Sequence, residues 1–236
     1  MSAHHTHARP ERTAPNSAAI EDYLKAVYAL ARRSEGPVGT GELAERLGVT
    51  PATATAMLKR LDALGLVRHR PYHGVTLTPA GEKVALEVIR HHRLLESYLS
   101  EALDMPWDRV HEEAEVLEHY ISEELEVLIA AKLGDPSHDP HGDPIPGPDL
   151  ALPDEDESRP LDSLSDGETA TFTRVSDSDP RMLRYLAERG IRPGARILIK
   201  GRQPFGGPVF VEVDGAEHAL GGELVRRMRV AAAPGS

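Results

Sequence analysis

The chain has 236 residues and a formal net charge of −11, which leaves room for two or three small domains. It has no cysteine, so disulfides are excluded and any bound metal must be held by nitrogen and oxygen ligands. No apolar run is long enough to span a bilayer and the start lacks the apolar core of a signal peptide, so we expect a soluble cytoplasmic protein with no membrane partner.

The charge is divided unevenly along the chain. Residues 1–78 carry 10 Lys and Arg against 7 Asp and Glu, whereas the remainder carries 17 against 31. A mildly basic first part followed by an acidic body is typical of a DNA-binding module attached to a cation-binding body.

Residues 1–17 are polar, and we predict a disordered tail there, although it contains three histidines that could bind metal: His4, His5 and His7. From residue 18 to residue 33 the apolar side chains recur with a helical period. This pattern predicts a first helix, with Asp22 beside its apolar stripe.

Residues 40–61 have the pattern of two short helices joined by a turn at Gly48. Thr40 is placed to cap the first helix and Thr50 the second, with Pro51 at the first helical position. The outward face of the second helix is small and nearly uncharged, which suits entry into the major groove better than contact with solvent. The pattern predicts a helix-turn-helix, with an ordinary helical hairpin as the alternative. The expected DNA-contacting residues of this helix are Thr50, Pro51, Ala52, Thr53, Thr55, Lys59 and Arg60.

Residues 67–77 contain two short β runs on either side of a basic loop, and this pattern predicts a hairpin. Arg68 and Arg70 could reach the phosphate backbone from this wing, and Tyr72 or His73 could join them. Residues 18–80 therefore form a predicted winged-helix DNA-binding domain.

Two helices that carry ionisable stripes are predicted at 79–103 and 106–121. The first places His92 and Glu96 four residues apart within an apolar series, and buried charges need a partner. The second lines up His111, Glu115, Glu118 and His119 on one face. Two such stripes predict a nitrogen and oxygen metal site, and a solvated Glu/His face is the alternative.

Ser122 is placed to cap a third helix that ends at Gly134. We predict that residues 81–144 form an all-helical metal-binding and dimerisation domain. An acidic, Pro-rich linker follows at 145–160. Just before it, His138, Asp139 and His141 could be metal ligands, but most Asp and His in such loops are solvated.

From residue 161 to residue 232 the pattern changes to β runs at 169–175, 196–200, 209–213 and 227–230. One helix, at 180–189, interrupts them, and glycine turns separate the others. This arrangement predicts a small β-barrel of SH3-like size. The fold class is therefore α+β: a winged helix, a helical domain and a small barrel.

Several motifs together resemble the diphtheria-toxin-repressor family of metal-dependent transcriptional regulators. They are the winged helix, His-Arg-Leu-Leu-Glu at 92–96, Pro-Trp-Asp-Arg-Val-His at 106–111, Glu-His at 118–119 and His-Gly-Asp-Pro-Ile-Pro at 141–146. The last domain resembles a module shared with a ferrous-iron transport accessory protein, in Gly-Ile-Arg-Pro-Gly and Pro-Phe-Gly-Gly-Pro.

The resemblance implies two metal sites. The regulatory site would use Asp22, Glu115, Glu118 and His119. The ancillary site would use His92, Glu96 and His111 with an oxygen ligand from the third domain, for which Asp177 and Asp179 are candidates.

Two positions bear on which metal ion the protein responds to. In the iron-responsive branch of the family Met stands at the position of Asp22 and Cys at that of Glu115, whereas both are carboxylates here, as in the manganese-responsive branch. Lys25 departs from the short manganese regulators, which have Glu there, so their closely coupled metal pair is not expected.

We therefore predict a homodimeric, Mn²⁺-activated repressor that binds palindromic operators of metal-homeostasis genes. One alternative is the same fold answering to Fe²⁺, Zn²⁺ or Co²⁺. A metal-independent winged-helix protein with a small-molecule pocket is a second. A metallohydrolase is disfavoured, because the second His of a His-Glu-x-x-His motif starting at His111 is Glu115.

Overall fold

The computed structural model describes residues 15–33, 36–153, 158–177 and 179–232. The chain forms two compact units, Met1–Ile89 and Arg90–Ser236, and each is described by itself below. Most of the predicted N-terminal tail, including its histidines, lies outside the described residues, although the first helix already begins at Pro15, before the predicted start. Within the described ranges, no helix is long and apolar enough to cross a membrane.

The first unit is the predicted winged helix. Its core is formed by apolar residues from every element, with Leu24, Leu43, Leu58 and Leu61 among those fully buried. The elements are α1 Pro15–Ala31, α2 Thr40–Arg46, α3 Pro51–Ala63, β1 Val67–Arg70, β2 Gly74–Leu77 and the start of α4 Pro79–Leu103.

The caps of the helix-turn-helix differ in one detail from the prediction. The Thr50 hydroxyl accepts a hydrogen bond from the Thr53 amide at 3.1 Å, so the predicted cap of α3 is confirmed. The predicted cap at Thr40 is wrong. Gly39 takes that position because its backbone is extended and its carbonyl accepts the first helical hydrogen bond, from Leu43.

In the second unit, α4 continues beside two shorter helices, α5 Val110–Leu117 and α6 Glu123–Leu133. The prediction of a single helix from 106 to 121 is wrong, because α5 stops at Leu117 and residues 118–120 form a turn. Ser122 caps α6 with an extended backbone and accepts from the Leu125 amide, so the chain must leave its helical path before Ser122. Glu118 and His119 therefore lie in the turn between α5 and α6.

The predicted third domain is a six-stranded antiparallel sheet in the order β3-β8-β4-β5-β6-β7, which confirms the α+β class. Its core includes Phe172, Ile197, Ile199 and Val211, and Trp107, from the turn before α5, packs into the same cluster. The elements are β3 Arg159–Pro160, β4 Thr169–Val175, α7 Pro180–Ala187, β5 Arg196–Arg202, β6 Val209–Val213, β7 Ala216–Leu220, α8 Gly222–Arg227 and β8 Met228–Ala232.

Candidate metal centre

The centre of the second unit is a pair of buried side chains on α4. His92 and Glu96 lie one helical turn apart and face inward, and His92 Nε2 is 3.0 Å from Glu96 Oε1. A buried carboxylate is costly unless cations or donors surround it. Glu96 is completely buried, so its neighbours determine what the site can do.

Two more predicted ligands converge on this pair. His111, on α5, places its Nδ1 3.1 Å from both His92 Nε2 and Glu96 Oε1. Asp177, just after β4, places its Oδ2 3.1 Å from the same nitrogen of His111. One donor atom from each of these four residues lies within 4.8 Å of the others.

Asp179, the second candidate from the third domain, does not join this group. It is the N-cap of α7, and its carboxylate accepts from the backbone amide and the guanidinium of Arg181. That hydrogen bonding holds the pKa of Asp179 at about 2. The expectation that Asp179 could be a ligand is therefore replaced by a capping role.

The cluster has two further members, Asp139 and His141, which the sequence offers as possible ligands but for which solvation was the favoured prediction. Both are buried, and donor atoms of Glu96, Asp139 and His141 lie within 4.8 Å of one another. His141 Nδ1 lies 3.7 Å from Glu96 Oε2, and neither atom has a hydrogen-bond partner among the described residues. Two buried polar atoms left unpaired at this separation are costly unless a further group lies between them.

The backbone explains why the loop that holds His141 is fixed. The His141 carbonyl accepts from the Val175 amide on β4, and His141 Nε2 is 2.7 Å from the Trp107 carbonyl. Gly142 has φ +88°, and a Cβ there would lie 1.9 Å from the Thr173 carbonyl oxygen, so only glycine fits. The sequence signal was the 141–146 motif, whose Gly142 and apolar Ile145 are more typical of a packed turn than of a linker.

Charges within the cluster shift its pKa values strongly. Burial lowers the pKa of His111, but the carboxylates of Asp177 and Glu96 outweigh burial and raise it to about 10. Burial likewise opposes protonation of His141, yet Glu96 raises its pKa to about 9. Burial raises the pKa of Glu96, but His92, His111 and His141 hold it well below its usual range, and His111 similarly lowers the pKa of Asp177 to about 2.

The turn after α5 brings the predicted regulatory ligands next to the same histidine. Glu118 is buried, and its Oε2 lies 2.6 Å from His92 Nδ1 while its Oε1 lies 3.6 Å from His119 Nε2. Donor atoms of His92, Glu115 and Glu118 lie within 4.8 Å of one another. The two ring nitrogens of His92 therefore face different clusters, Glu118 on one side and Glu96 with His111 on the other. Asp22, the fourth predicted regulatory ligand, belongs to the first unit.

The donor chemistry of these clusters fits a divalent cation. Each holds imidazole nitrogens and carboxylate oxygens without sulfur, a set that suits Mn²⁺, Fe²⁺ and Zn²⁺. The unpaired Glu96 and His141 atoms are the sharpest sign of fit, because an ion bound by both would satisfy two buried groups at once.

The candidate DNA surface lies on the first unit. On α3 most predicted contact residues are exposed, but the Thr55 hydroxyl donates to the Pro51 carbonyl at 2.8 Å. Arg68 and Arg70 are exposed on the hairpin. The His69 amide donates to Asp62 at 3.1 Å, which ties the hairpin to α3. The predicted residues exposed on α3 are Pro51, Ala52, Thr53, Lys59 and Arg60.

Comparisons with known proteins cover almost the whole chain. Residues 17–75 match the model of the iron dependent repressor N-terminal DNA binding domain, and residues 78–147 match that of its metal binding and dimerisation domain. Residues 159–232 match the FeoA domain. The three matched ranges correspond in turn to the winged helix, to helices α4 to α6 and to the six-stranded sheet.

Individual relatives match most of the chain. The iron-dependent repressor IdeR of Mycobacterium tuberculosis is 30% identical over 223 residues, with 89% of this chain and 95% of the relative covered. The diphtheria toxin repressor of Corynebacterium efficiens is 31% identical, with 89% and 94% covered. A solved manganese-dependent transcriptional repressor in complex with manganese is 43% identical, with a TM-score of 0.83 and coverage of 91% of this chain and 100% of that one. A structure of ScaR with bound Zn²⁺ has a TM-score of 0.74 at 31% identity, with 91% and 99% covered.

Proposed function

The chain belongs to the diphtheria-toxin-repressor family and is a metal-dependent transcriptional repressor, not an enzyme, and from this premise we propose that Mn²⁺ is its activating metal and a palindromic operator its DNA target. We further propose that it acts as a homodimer on metal-homeostasis genes. One observation supports the proposal most strongly: four segments of the second unit bring ligand side chains to His92 and Glu96 on α4. They are α5, the turn after it, the loop that holds His141 and the segment after β4.

The ancillary ion would be held by residues on both sides of Glu96. His111 and Asp177 supply one nitrogen and one oxygen beside Oε1, and His141 supplies a nitrogen opposite Oε2. Asp139 uses one carboxylate oxygen to accept from the amides of His141 and Asp143, and its other oxygen lies 3.8 Å from Arg93 Nε. A bound cation would replace the protons of His111 and His141 as the positive charge that balances these buried carboxylates.

The regulatory ion would be held by Glu115, Glu118 and His119, and Asp22 would join them. The assignment of Asp22 rests on the family resemblance. His92 supports both sites, because its Nδ1 contacts Glu118 while its Nε2 contacts Glu96. A histidine ligand that contacts a carboxylate through its other nitrogen is held in one orientation and one tautomer.

The preference for Mn²⁺ is inferred from the regulatory carboxylates. Affinity at nitrogen and oxygen sites generally rises from Mn²⁺ through Fe²⁺ to Ni²⁺ and Cu²⁺, so selection must come from ligand type and geometry. Asp22, Glu115 and Glu118 are hard oxygen donors, which suit Mn²⁺. The relative whose structure was solved in complex with manganese supports this choice, whereas the iron-dependent relatives support Fe²⁺ as the alternative.

Exposed apolar side chains support the homodimer. Monomeric proteins rarely leave several large apolar side chains exposed in one region. In the helical part of the second unit, the end of α5, the turn after it and α6 together carry six of them. They are Val116, Leu117, Tyr120, Leu125, Val127 and Leu128. Covering them with a second copy would place two DNA-binding units on one duplex, as a palindromic operator requires.

The proposed activation follows from charge. Without a cation, the carboxylates assigned to the regulatory site repel one another, so the DNA-binding unit is not held in the operator-binding arrangement. A bound ion removes this repulsion. To shift such an equilibrium from 1:99 to 99:1 takes about 5.5 kcal/mol of differential binding.

The test is DNA binding to the protein's own upstream region, measured by fluorescence anisotropy with each divalent metal in turn. We expect tight binding with Mn²⁺, weaker activation by the other ions at matched free concentrations, and no specific binding with a chelator. Equal binding with and without chelator would overturn the proposal and favour a metal-independent winged-helix regulator.

A further inference from the structure

The tip of the wing presents an aromatic side chain on a backbone that disfavours it. Tyr72 lies between β1 and β2, is fully exposed, and has φ +67°. The His73 amide donates to the Arg70 carbonyl at 3.0 Å, which closes a four-residue turn with Pro71 at its second position and Tyr72 at its third. A positive φ at the third position is normally supplied by Gly or Asn, because a bulky side chain is strained there.

The rest of the hairpin holds this strained turn in place. Four residue pairs join β1 to β2, and Val38 and Val75 exchange two backbone hydrogen bonds of 2.9 Å each. At Gly74, a Cβ would lie 2.6 Å from the Val38 carbonyl oxygen, so the chain after the tip has little freedom. Backbone strain that the surroundings enforce is concentrated at functional positions, which makes an exposed, strained tyrosine a candidate for contact with a partner.

The surroundings of Tyr72 identify that partner as duplex DNA. The hairpin begins directly after α3, is tied to it by the bond from His69 to Asp62, and carries Arg68 and Arg70 on its exposed side. A four-residue strand extends about 13 Å. That reach is close to the width of the major groove, about 12 Å. With α3 in the major groove, a wing of this length is long enough to pass the phosphate backbone toward the neighbouring minor groove.

We propose that Tyr72 enters the minor groove beside each half-site and that its ring packs against the sugars and base edges there. This inference rests on the proposed function, since it requires operator binding through α3. A neutral aromatic ring suits the groove better than the phosphates, which the arginines of the same hairpin can contact. Proteins that read the minor groove commonly insert such side chains and so respond to its width.

The chain offers a matched control at a second hairpin. Phe205, in the turn between β5 and β6, is also fully exposed, follows a proline, and has φ +61°. Replacement of either residue by glycine removes an exposed ring and relieves the same backbone strain. Only Tyr72 lies on the DNA-binding unit, so the two substitutions should differ in DNA affinity and not in their effect on folding.

The experiment uses the full-length protein with Mn²⁺ and a duplex that the wild type selects from a random pool. We expect Tyr72→Gly to weaken binding about tenfold while its unfolding temperature is unchanged or raised, and Phe205→Gly to bind within about twofold of wild type. A merely structural role for Tyr72 would instead lower the unfolding temperature. Binding by Tyr72→Gly within about twofold of wild type would overturn the inference, whereas failure of the wild type to select any duplex would overturn the proposed function.

A second measurement tests whether Tyr72 contacts the minor groove. 2,6-Diaminopurine in place of adenine adds an amino group to the minor groove while the major-groove pattern of that base is kept. In the sequence that flanks each half-site, this change should weaken wild-type binding and leave Tyr72→Gly unaffected. Equal losses for both proteins would show that Tyr72 does not enter the minor groove.

Discussion

Replacement of His141 by Gln should remove about one proton from those released when the ancillary ion binds. His141 is fully buried, its unpaired Nδ1 lies 3.7 Å from Glu96 Oε2, and its pKa is raised to about 9. At pH 7 a group with that pKa is about 99% protonated. A metal binds only the neutral imidazole, so binding must displace that proton.

The same reasoning applies to His111, whose pKa is raised to about 10. With both histidines in place, the two imidazoles together release about two protons, and their part of the metal affinity rises about a hundredfold per pH unit below pH 9. In His141→Gln only the imidazole of His111 remains. About one proton is then released, and the metal affinity rises about tenfold per pH unit. The direction of this pH dependence follows from the raised pKa values. At a pH below its pKa each imidazole is protonated, so the proton competes with the metal.

Calorimetric titration of Mn²⁺ in buffers of different ionisation enthalpy measures the protons released. Protons lost at the regulatory site are the same in wild type and His141→Gln, so they cancel in the difference. The substitution His138→Gln in the same loop is the matched control, because His138 is exposed and its Nδ1 contacts Ser137 instead of the cluster. Equal proton counts in wild type and His141→Gln would refute the assignment of His141 as a ligand.

Three substitution experiments separate the roles assigned to other residues. Arg68→Ala should weaken binding to every DNA sequence and reduce the salt dependence of log K by about one unit of slope, and an unchanged slope would contradict a phosphate contact. Glu118→Ala should abolish metal-activated DNA binding, whereas Glu96→Ala should leave partial activation, which anisotropy titrations with Mn²⁺ would distinguish. Asp22→Met combined with Glu115→Cys should shift activation from Mn²⁺ toward Fe²⁺ or Co²⁺ under anaerobic conditions, and an unchanged preference would place selectivity elsewhere.

Much of the fold followed from local signals in the sequence. Two helix starts are set by side-chain caps, Thr50 before Pro51 and Ser122, and the structure has both. The apolar period at 79–103 likewise predicts the long helix α4. The short elements were missed for the opposite reason. β7 is Ala-Glu-His-Ala-Leu, without a β-branched residue, and β3 has only two residues, so pairing with neighbouring strands and not local preference creates them.

From residue spacing alone, the metal cluster could be predicted best where its ligands lie on one helix. Spacing of four residues placed His92 and Glu96 on one face, and the structure keeps them together. His141 could not be found by spacing, because its burial depends on Trp107 and on the β4 backbone, which are distant in sequence. The helix period also misled at His119, since the cap of the next helix ends α5 early.

In the proposed mechanism metal binding and DNA binding share one equilibrium, and thermodynamic linkage tests this coupling most directly. If Mn²⁺ raises operator affinity by some factor, saturating operator must tighten Mn²⁺ binding by the same factor. Both affinities would be measured on the full-length protein, by anisotropy at fixed free Mn²⁺ and by metal titration with and without the operator duplex. We predict equal factors of at least about tenfold, whereas Mn²⁺ affinity that is unchanged by operator DNA would contradict the account.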